Sequence, residues 1–306
     1  MAEKDMTEKS LMDFNDVFAD IVNNLVFEGR KCVEETELET ASDHGVYLGE
    51  SGFRGLERDV SKYWRQNDIR IAMLGIENQT MPDDDMPIRV IGYDGLAYRD
   101  QIRYEVDEHG NRRKTVSRHP VITLVLYFGY EEHWNKARTL HESLGDVLKP
   151  GLERFVQDYG INLFEIAYLT DEQVNGFHSD FKYVADYFVQ MQRTGTYIGS
   201  PEDMCHVREV LYLMTALTGD GRFASVAGTK IGEDGKGEMK NMCEVLDMIE
   251  KRGYDTGYDQ GYESSARKVA IKMYQKGIDL EDIAEIIGTG IETIRDWLSE
   301  AGECMQ

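Results

Sequence analysis

Residues 121–128 (VITLVLYF) are an almost unbroken run of apolar side chains, rich in β-branched types. A strand with one wet face alternates apolar and polar residues, whereas a run without alternation is covered on both sides. The run therefore predicts a central strand in a sheet flanked by helices, and the rest of the chain must supply those helices. With 306 residues, 41% hydrophobic and 30% charged, the chain is long enough to close a real core, as one principal domain plus a smaller appendage. The same run is far too short to cross a bilayer.

The neighbouring patterns agree with that requirement. In 11–27, Phe14, Val17, Phe18, Ile21 and Leu25 fall on one stripe at helical spacing, Asp13, Asp16 and Asp20 share the adjoining face, and Glu28-Gly29-Arg30 supplies the stop. Residues 69–80 (IRIAMLGIENQT) read as a central strand ended by Met81-Pro82 and three aspartates. A helix is expected from Met86 to about Glu108 with Ile88, Ile91, Leu96, Tyr98 and Ile102 as its apolar side, followed by a turn at HGNRRK. Leu163 to Leu169 is a third strand candidate, followed by helices near 177–193 and 202–217. The organisation expected is a core over 1–218, a Gly-rich loop or linker over 219–239 and a helical tail over 240–306. Within the tail, helices are predicted near 240–252, 264–276, 279–287 and 291–300, with Gly253, Gly257 and Gly261 between the first two.

Charge restricts the partners. Fifty-seven acids against thirty-four Lys plus Arg give a formal charge of −23, a field that repels nucleic acid and anionic membrane at long range. A polyanion must then be held by local basic patches or through metal ions. Cys32, Cys205, Cys243 and Cys304 form no C-x-x-C pair, so a disulfide framework and a cysteine-rich zinc module are both unsupported. His133, His141, His178 and Cys205-His206 lack a spacing that gathers three zinc ligands. With a polar N-terminal stretch that does not resemble a signal peptide, the expectation is a soluble protein of the reducing cytoplasm.

The chemistry-bearing pattern is Asp59, Glu77 and Gln79. Glu77 and Gln79 are two apart on the predicted strand, so their side chains leave one face while Asn78 faces the other way. If Arg58-Asp59-Val60 forms a preceding strand edge, Asp59 supplies a second carboxylate to the same point. Two carboxylates and an amide oxygen are hard donors suited to Mg²⁺ or Mn²⁺. In a chain this acidic, the competing reading is solvation at a strand end.

In order along the chain, FADIVNNLVFEGRKCV (18–33), ERDVSKYW (57–64), AMLGIENQT (72–80), MPIRVIGYDGLAY (86–98) and HPVITLVLYFG (119–129) resemble the PD-(D/E)XK family transposases, also called recombination-promoting nucleases. The likeness covers most of residues 14–250, and the closing segment resembles the short helical tail that many members carry. It implies an α/β restriction-endonuclease-like core, a mixed central sheet flanked by helices, with a helical C-terminal extension. It also implies metal-dependent DNA endonuclease activity associated with recombination of mobile elements. Carried over by position, Asp59 is the motif aspartate, Glu77 the D/E residue, and Gln79 stands where the pattern has lysine. Asp20, and less closely Asp16, match the acidic residue of the first helix, which makes Asp20 a third candidate metal ligand.

Two basic groups are candidates for gripping phosphates: Arg54, Arg58, Lys62 and Arg65 near Asp59, and Arg112, Arg113, Lys114 and Arg118 before the buried strand. The expected binding of DNA is weak and strongly dependent on salt and divalent cation. The tail has the cadence of a helix-turn-helix, but its second helix carries Glu292, Asp296 and Glu300 against Arg295 alone. That favours packing or protein association, including a homo-oligomer through the C-terminal helices, over base reading. The competing functional expectation is a catalytically inactive relative that acts as a binding or assembly protein through its acidic surface and tail.

Overall fold

The structure is a computed structural model that describes residues 11–41, 45–49, 52–56, 59–66, 69–106, 109, 112–116, 118–231 and 237–301. For 45–49, 52–56, 69–71, 103–106, 112–116, 230–231 and 237–238, only the backbone is described. The chain divides into two compact units, Met1–Val245 and Leu246–Gln306.

The first unit begins with α1 (Asn15–Leu25), β1 (Leu38–Thr40), β2 (Gly45–Gly49), β3 (Gly52–Leu56), β4 (Val60–Gln66) and β5 (Ile69–Gln79). It continues with α2 (Met86–Asp100), β6 (Ile102–Val106), β7 (Arg112–Val116) and β8 (Val121–Tyr127). Next come α3 (Leu140–Leu144), β9 (Asn162–Glu165), α4 (Asp171–Gly176), α5 (Phe181–Thr194), α6 (Val207–Thr218) and α7 (Gly221–Val226). Last are β10 (Lys230–Ile231), β11 (Gly237–Glu238) and the start of α8 (Met242–Gln275). Five strands form a mixed sheet in the order β1-β4-β5-β8-β9. The β1–β4 and β4–β5 pairs are antiparallel, and β5–β8 and β8–β9 are parallel. Three two-stranded hairpins, β2–β3, β6–β7 and β10–β11, stand apart from this sheet.

The apolar run becomes β8, and both its faces are covered. Val125 and Tyr127 pack with Met86 and Val90 of α2 and with Trp134. Phe128, at the strand's end, lies against Phe181 and Phe188 of α5 with ring centroids 6.3 and 5.2 Å away. The β5–β8 register sets Glu77 beside Val125 and Gln79 beside Tyr127, so both polar residues rise on the α2 side. The chain leaves β8 at Gly129, where an added Cβ would come within 2.0 Å of the Tyr127 hydroxyl, so only glycine fits this close approach.

α1 covers the opposite face. Val17, Phe18, Ile21 and Val22 are fully buried. Its end is fixed by Asn23, whose Nδ2 donates to the Val33 carbonyl at 2.8 Å while its Oδ1 accepts from the Cys32 and Val33 amides at 2.9 and 2.8 Å. Glu28 and Gly29 turn the chain with φ of 54° and 80°, as the Glu-Gly-Arg stop requires.

Several sequence expectations shift. The helix that starts at Met86 ends at Asp100, and Ile102 begins a hairpin in place of another helical turn. Its buried side is Met86, Val90, Tyr93, Asp94 and Ala97, whereas Ile88, Tyr98 and Ile102 are exposed. Asp94 decides this rotation, because it is buried and accepts from Thr123 Oγ1 at 2.6 Å and from the Tyr159 hydroxyl. The third strand stops at Glu165 and gives way to a short 3-10 turn over Ile166–Tyr168. The segment expected as a loop over 219–239 holds α7 and the β10–β11 pair, with Phe223 and Val226 buried.

In the second unit, α8 runs on through Gly253, Gly257 and Gly261 as one helix, then α9 (Leu280–Ile287) and α10 (Ile291–Glu300) follow. Ala270, Ile283, Ile294, Trp297 and Leu298 form its own core. Asp279 caps α9 by accepting from the Asp282 amide at 2.9 Å, and Gly288 ends it with φ 74°. Among the described residues, no helix is long and apolar enough to cross a membrane.

Candidate functional site

β4 and β5 pair with Val60 opposite Ile76, and one further step of that register sets Asp59 opposite Glu77. Opposed residues of an antiparallel pair leave the same face with Cβ atoms about 5 Å apart. The Asn78 amide closes the join by donating to Asp59 Oδ2 at 2.6 Å. Gln79 Nε2 donates to Glu77 Oε1 at 3.4 Å, so these two do share a face. The side chain of Asn78 leaves the other face, where its Nδ2 donates to Met12 Sδ at 3.4 Å. The three residues singled out from the sequence therefore meet at one end of β5.

Glu77 is 2% exposed, and a carboxylate so removed from water requires a cation or strong donors. Arg89, in the first turn of α2, supplies the cation: its Nη2 donates to Glu77 Oε1, and its Nη1 donates to Asp83 Oδ2 at 3.2 Å. Tyr93, one turn further on, donates its hydroxyl to Glu77 Oε1 at 3.4 Å and accepts from Arg89 Nε and Nη2 at 3.4 and 3.3 Å. Burial works against the charge of Arg89, but Glu77, Tyr93 and Asp83 outweigh it and raise its pKa above the ordinary guanidinium value. Burial, and then the Glu77 charge, push the Tyr93 phenol up to about 12, and Asp59 acts in the same direction. One hydroxyl thus feels both carboxylates. Asp59 and Gln79 are half-buried and the Arg89 side chain is 36% exposed, so the cluster opens to solvent along that rim.

Mg²⁺ keeps several waters and is commonly held by one or two carboxylates together with substrate phosphate, and Asp59 and Glu77 with the Gln79 amide are hard oxygen donors of the kind that could hold it. Asp20 is not among them. Its Oδ2 accepts from the His178 and Ser179 amides at 2.8 and 2.7 Å, tying α1 to the turn before α5. It lines a separate cleft of about 430 Å³ with Asp16, Asn23, Glu34, His178 and Ser179. Among the described residues, no three of His, Cys, Asp and Glu gather in a group that could hold a metal ion.

The expected phosphate contacts fare unevenly. Lys62 must be corrected: it is fully buried, its Nζ donates to the Asp13 carbonyl and to Asn15 Oδ1, each at 2.7 Å, and it lies 5.6 Å from the Phe18 ring centroid. The reason is its place on β4 beneath α1, where burial lowers its pKa although Asp13 pulls the other way. Arg65 is paired with Glu39 at 2.8 Å and is 31% exposed. Arg58 lies outside the described residues, as do the side chains of Arg54, Arg112, Arg113 and Lys114. The backbones of the last three form β7, opposite Val106, Glu105 and Tyr104. In the second unit, Arg295 is paired with Glu292 at 2.8 Å.

Sequence reasoning missed Arg89, Tyr93 and Asp83. A signal was present: Arg89 and Tyr93 are one helical turn apart at the start of the helix that follows the polar strand end, which suits a shared target. Asp83 was read only as part of a strand terminator. No family model, no curated protein and no solved structure matches this chain.

Proposed function

We propose that the chain is a metal-dependent DNA phosphodiesterase of the PD-(D/E)XK type, an endonuclease associated with recombination of mobile elements. The observation that carries this reading is Asp59 held by the Asn78 amide next to Glu77, with Gln79 bonded to Glu77, at the end of the inner strand β5. The finer fold reading, a restriction-endonuclease-like core, is supported by the mixed central sheet β1-β4-β5-β8-β9 with helices α1 and α2 against it.

In this reading, Asp59 and Glu77 would hold Mg²⁺ or Mn²⁺. Such an ion supplies Lewis acidity at a phosphoryl oxygen and makes a water acidic near neutral pH. Gln79 would orient a water through its amide, which can donate and accept but brings no charge. Tyr93, kept protonated by burial and by Glu77, holds the buried carboxylate and the Arg89 fork in register. Asp59, tied to the Asn78 amide through Oδ2, is fixed to the strand end rather than free to rotate.

Nicking of supercoiled plasmid in Mg²⁺ or Mn²⁺ tests the reading. Wild type should nick the plasmid, and Asp59→Ala and Glu77→Ala should fall to background. Equal background for all three removes the enzyme and leaves the second reading, an inactive member acting as a binding or assembly protein. That alternative is favoured by two features, the uncharged Gln79 and the guanidinium already seated on Glu77.

A further inference from the structure

Glu77 Oε1 receives three donors at once: Arg89 Nη2, the Tyr93 hydroxyl at 3.4 Å and Gln79 Nε2 at 3.4 Å. A divalent cation on that oxygen would have to displace the nearest of them. Arg89 has a second anchor within reach, since its Nη1 already donates to Asp83 Oδ2 at 3.2 Å. Glu77 and Asp83 differ in their surroundings: the Glu77 side chain is 3% exposed and the Asp83 side chain 34%, so a guanidinium held by Asp83 alone is nearer to solvent.

We propose that Arg89 is an internal competitor for the divalent cation: it neutralises Glu77 when no metal is bound and passes to Asp83 when a metal binds. The proposal rests on the metal site of the preceding reading, but it concerns occupancy and does not depend on DNA cleavage. The differential contact required of any two-state device is the Arg89 Nη2–Glu77 Oε1 bond, made without metal and lost with it because a divalent cation at Glu77 repels the neighbouring guanidinium, while the Asp83 contact is kept. Asp83 is then a positioning residue, acting on the metal only through Arg89. The arginine that leaves Glu77 remains tethered at the rim, where a scissile phosphate would meet the positive charge that Gln79 does not bring.

The test is Mn²⁺ binding to the full chain without DNA, followed by the electron paramagnetic resonance signal of the free ion. Arg89→Gln should tighten Mn²⁺ binding about tenfold, the scale of one charge-assisted hydrogen bond removed from competition. Arg89→Lys, which keeps a competing cation, should stay close to wild type and controls for loss of packing. Arg99→Gln removes the same charge from an exposed position in the last turn of α2 and should leave the affinity unchanged. Asp83→Asn should weaken binding about threefold in the wild-type background and have no effect once Arg89→Gln is present. An Arg89→Gln affinity equal to wild type overturns the proposal, as does an Arg99→Gln change of the same size, an Asp83→Asn effect that persists without Arg89, or no Mn²⁺ binding by either wild type or Arg89→Gln. If Arg89→Gln tightens Mn²⁺ binding while wild type never nicks DNA, the proposal stands and the nuclease reading falls. If wild type nicks DNA and Arg89→Gln leaves Mn²⁺ affinity unchanged, the reverse holds.

Discussion

At the scale of single residues, buried polar groups dominate the behaviour of this chain because each lost partner leaves another stranded. Asn23 is the plainest case, with three hydrogen bonds from one side chain at the end of α1. Asn23→Ala should cost about 3 kcal/mol, measured as a lower denaturant midpoint, because the Cys32 and Val33 amides and the Val33 carbonyl lose their partner together. Tyr93 gives a pH dependence of definite sign. Its pKa in the folded chain is about 12, above the ordinary phenol value, so the folded state holds the proton longer than the unfolded state. That contribution to stability is complete below about pH 10 and is lost as the pH rises towards 12. Tyr93→Phe should flatten this fall, and an ultraviolet titration should lose one late-ionising tyrosine; an unchanged titration would mean that the hydroxyl is not so held. The Asp59, Glu77 and Gln79 group was legible because a period of two fixes which strand residues share a face. Arg89 was not, since which of many charged helix residues turns towards a carboxylate depends on how the helix rolls against the sheet.

Among the elements, β8 was legible for the same reason that it is central: a run with no polar member has nowhere to go but between two layers. α2 was misread in rotation. The apolar count favoured Ile88, Leu96 and Tyr98, but burying Asp94 against Thr123 and Tyr159 brings a different stripe inward. Hydrogen bonds between residues far apart in sequence cannot be counted from local spacing, so such a choice stays hidden until the partners are known. α8 was misread as two helices because three glycines at four-residue spacing lower helix propensity. The glycines at 253, 257 and 261 have open space where a Cβ would stand and sit in continuous helix. Replacing all three by alanine should stabilise that stretch by about 2 kcal/mol in sum. Amide hydrogen exchange across it should slow accordingly, and unchanged exchange would show that the glycines do not limit its helix.

For the whole molecule, two compact units with separate cores predict two unfolding events. Trp134 lies in the core of the first unit and Trp297 in that of the second, so each reports on its own unit. Fluorescence-monitored denaturation should show two transitions, one of which disappears in Trp297→Phe; a single transition carried by Trp64, Trp134 and Trp297 together would show that the units unfold as one. The polar, glycine-rich stretch over 219–239 was expected to separate core from tail, whereas residues 219–245 belong to the first unit and the second begins at Leu246. The sealed ammonium of Lys62, bonded to the chain just before α1 and to its first residue, has a practical consequence. Amine-reactive reagents should pass it by in the native chain and label it once α1 lifts from β4, so a mass shift at this one lysine offers a chemical clock for the detachment of the first helix.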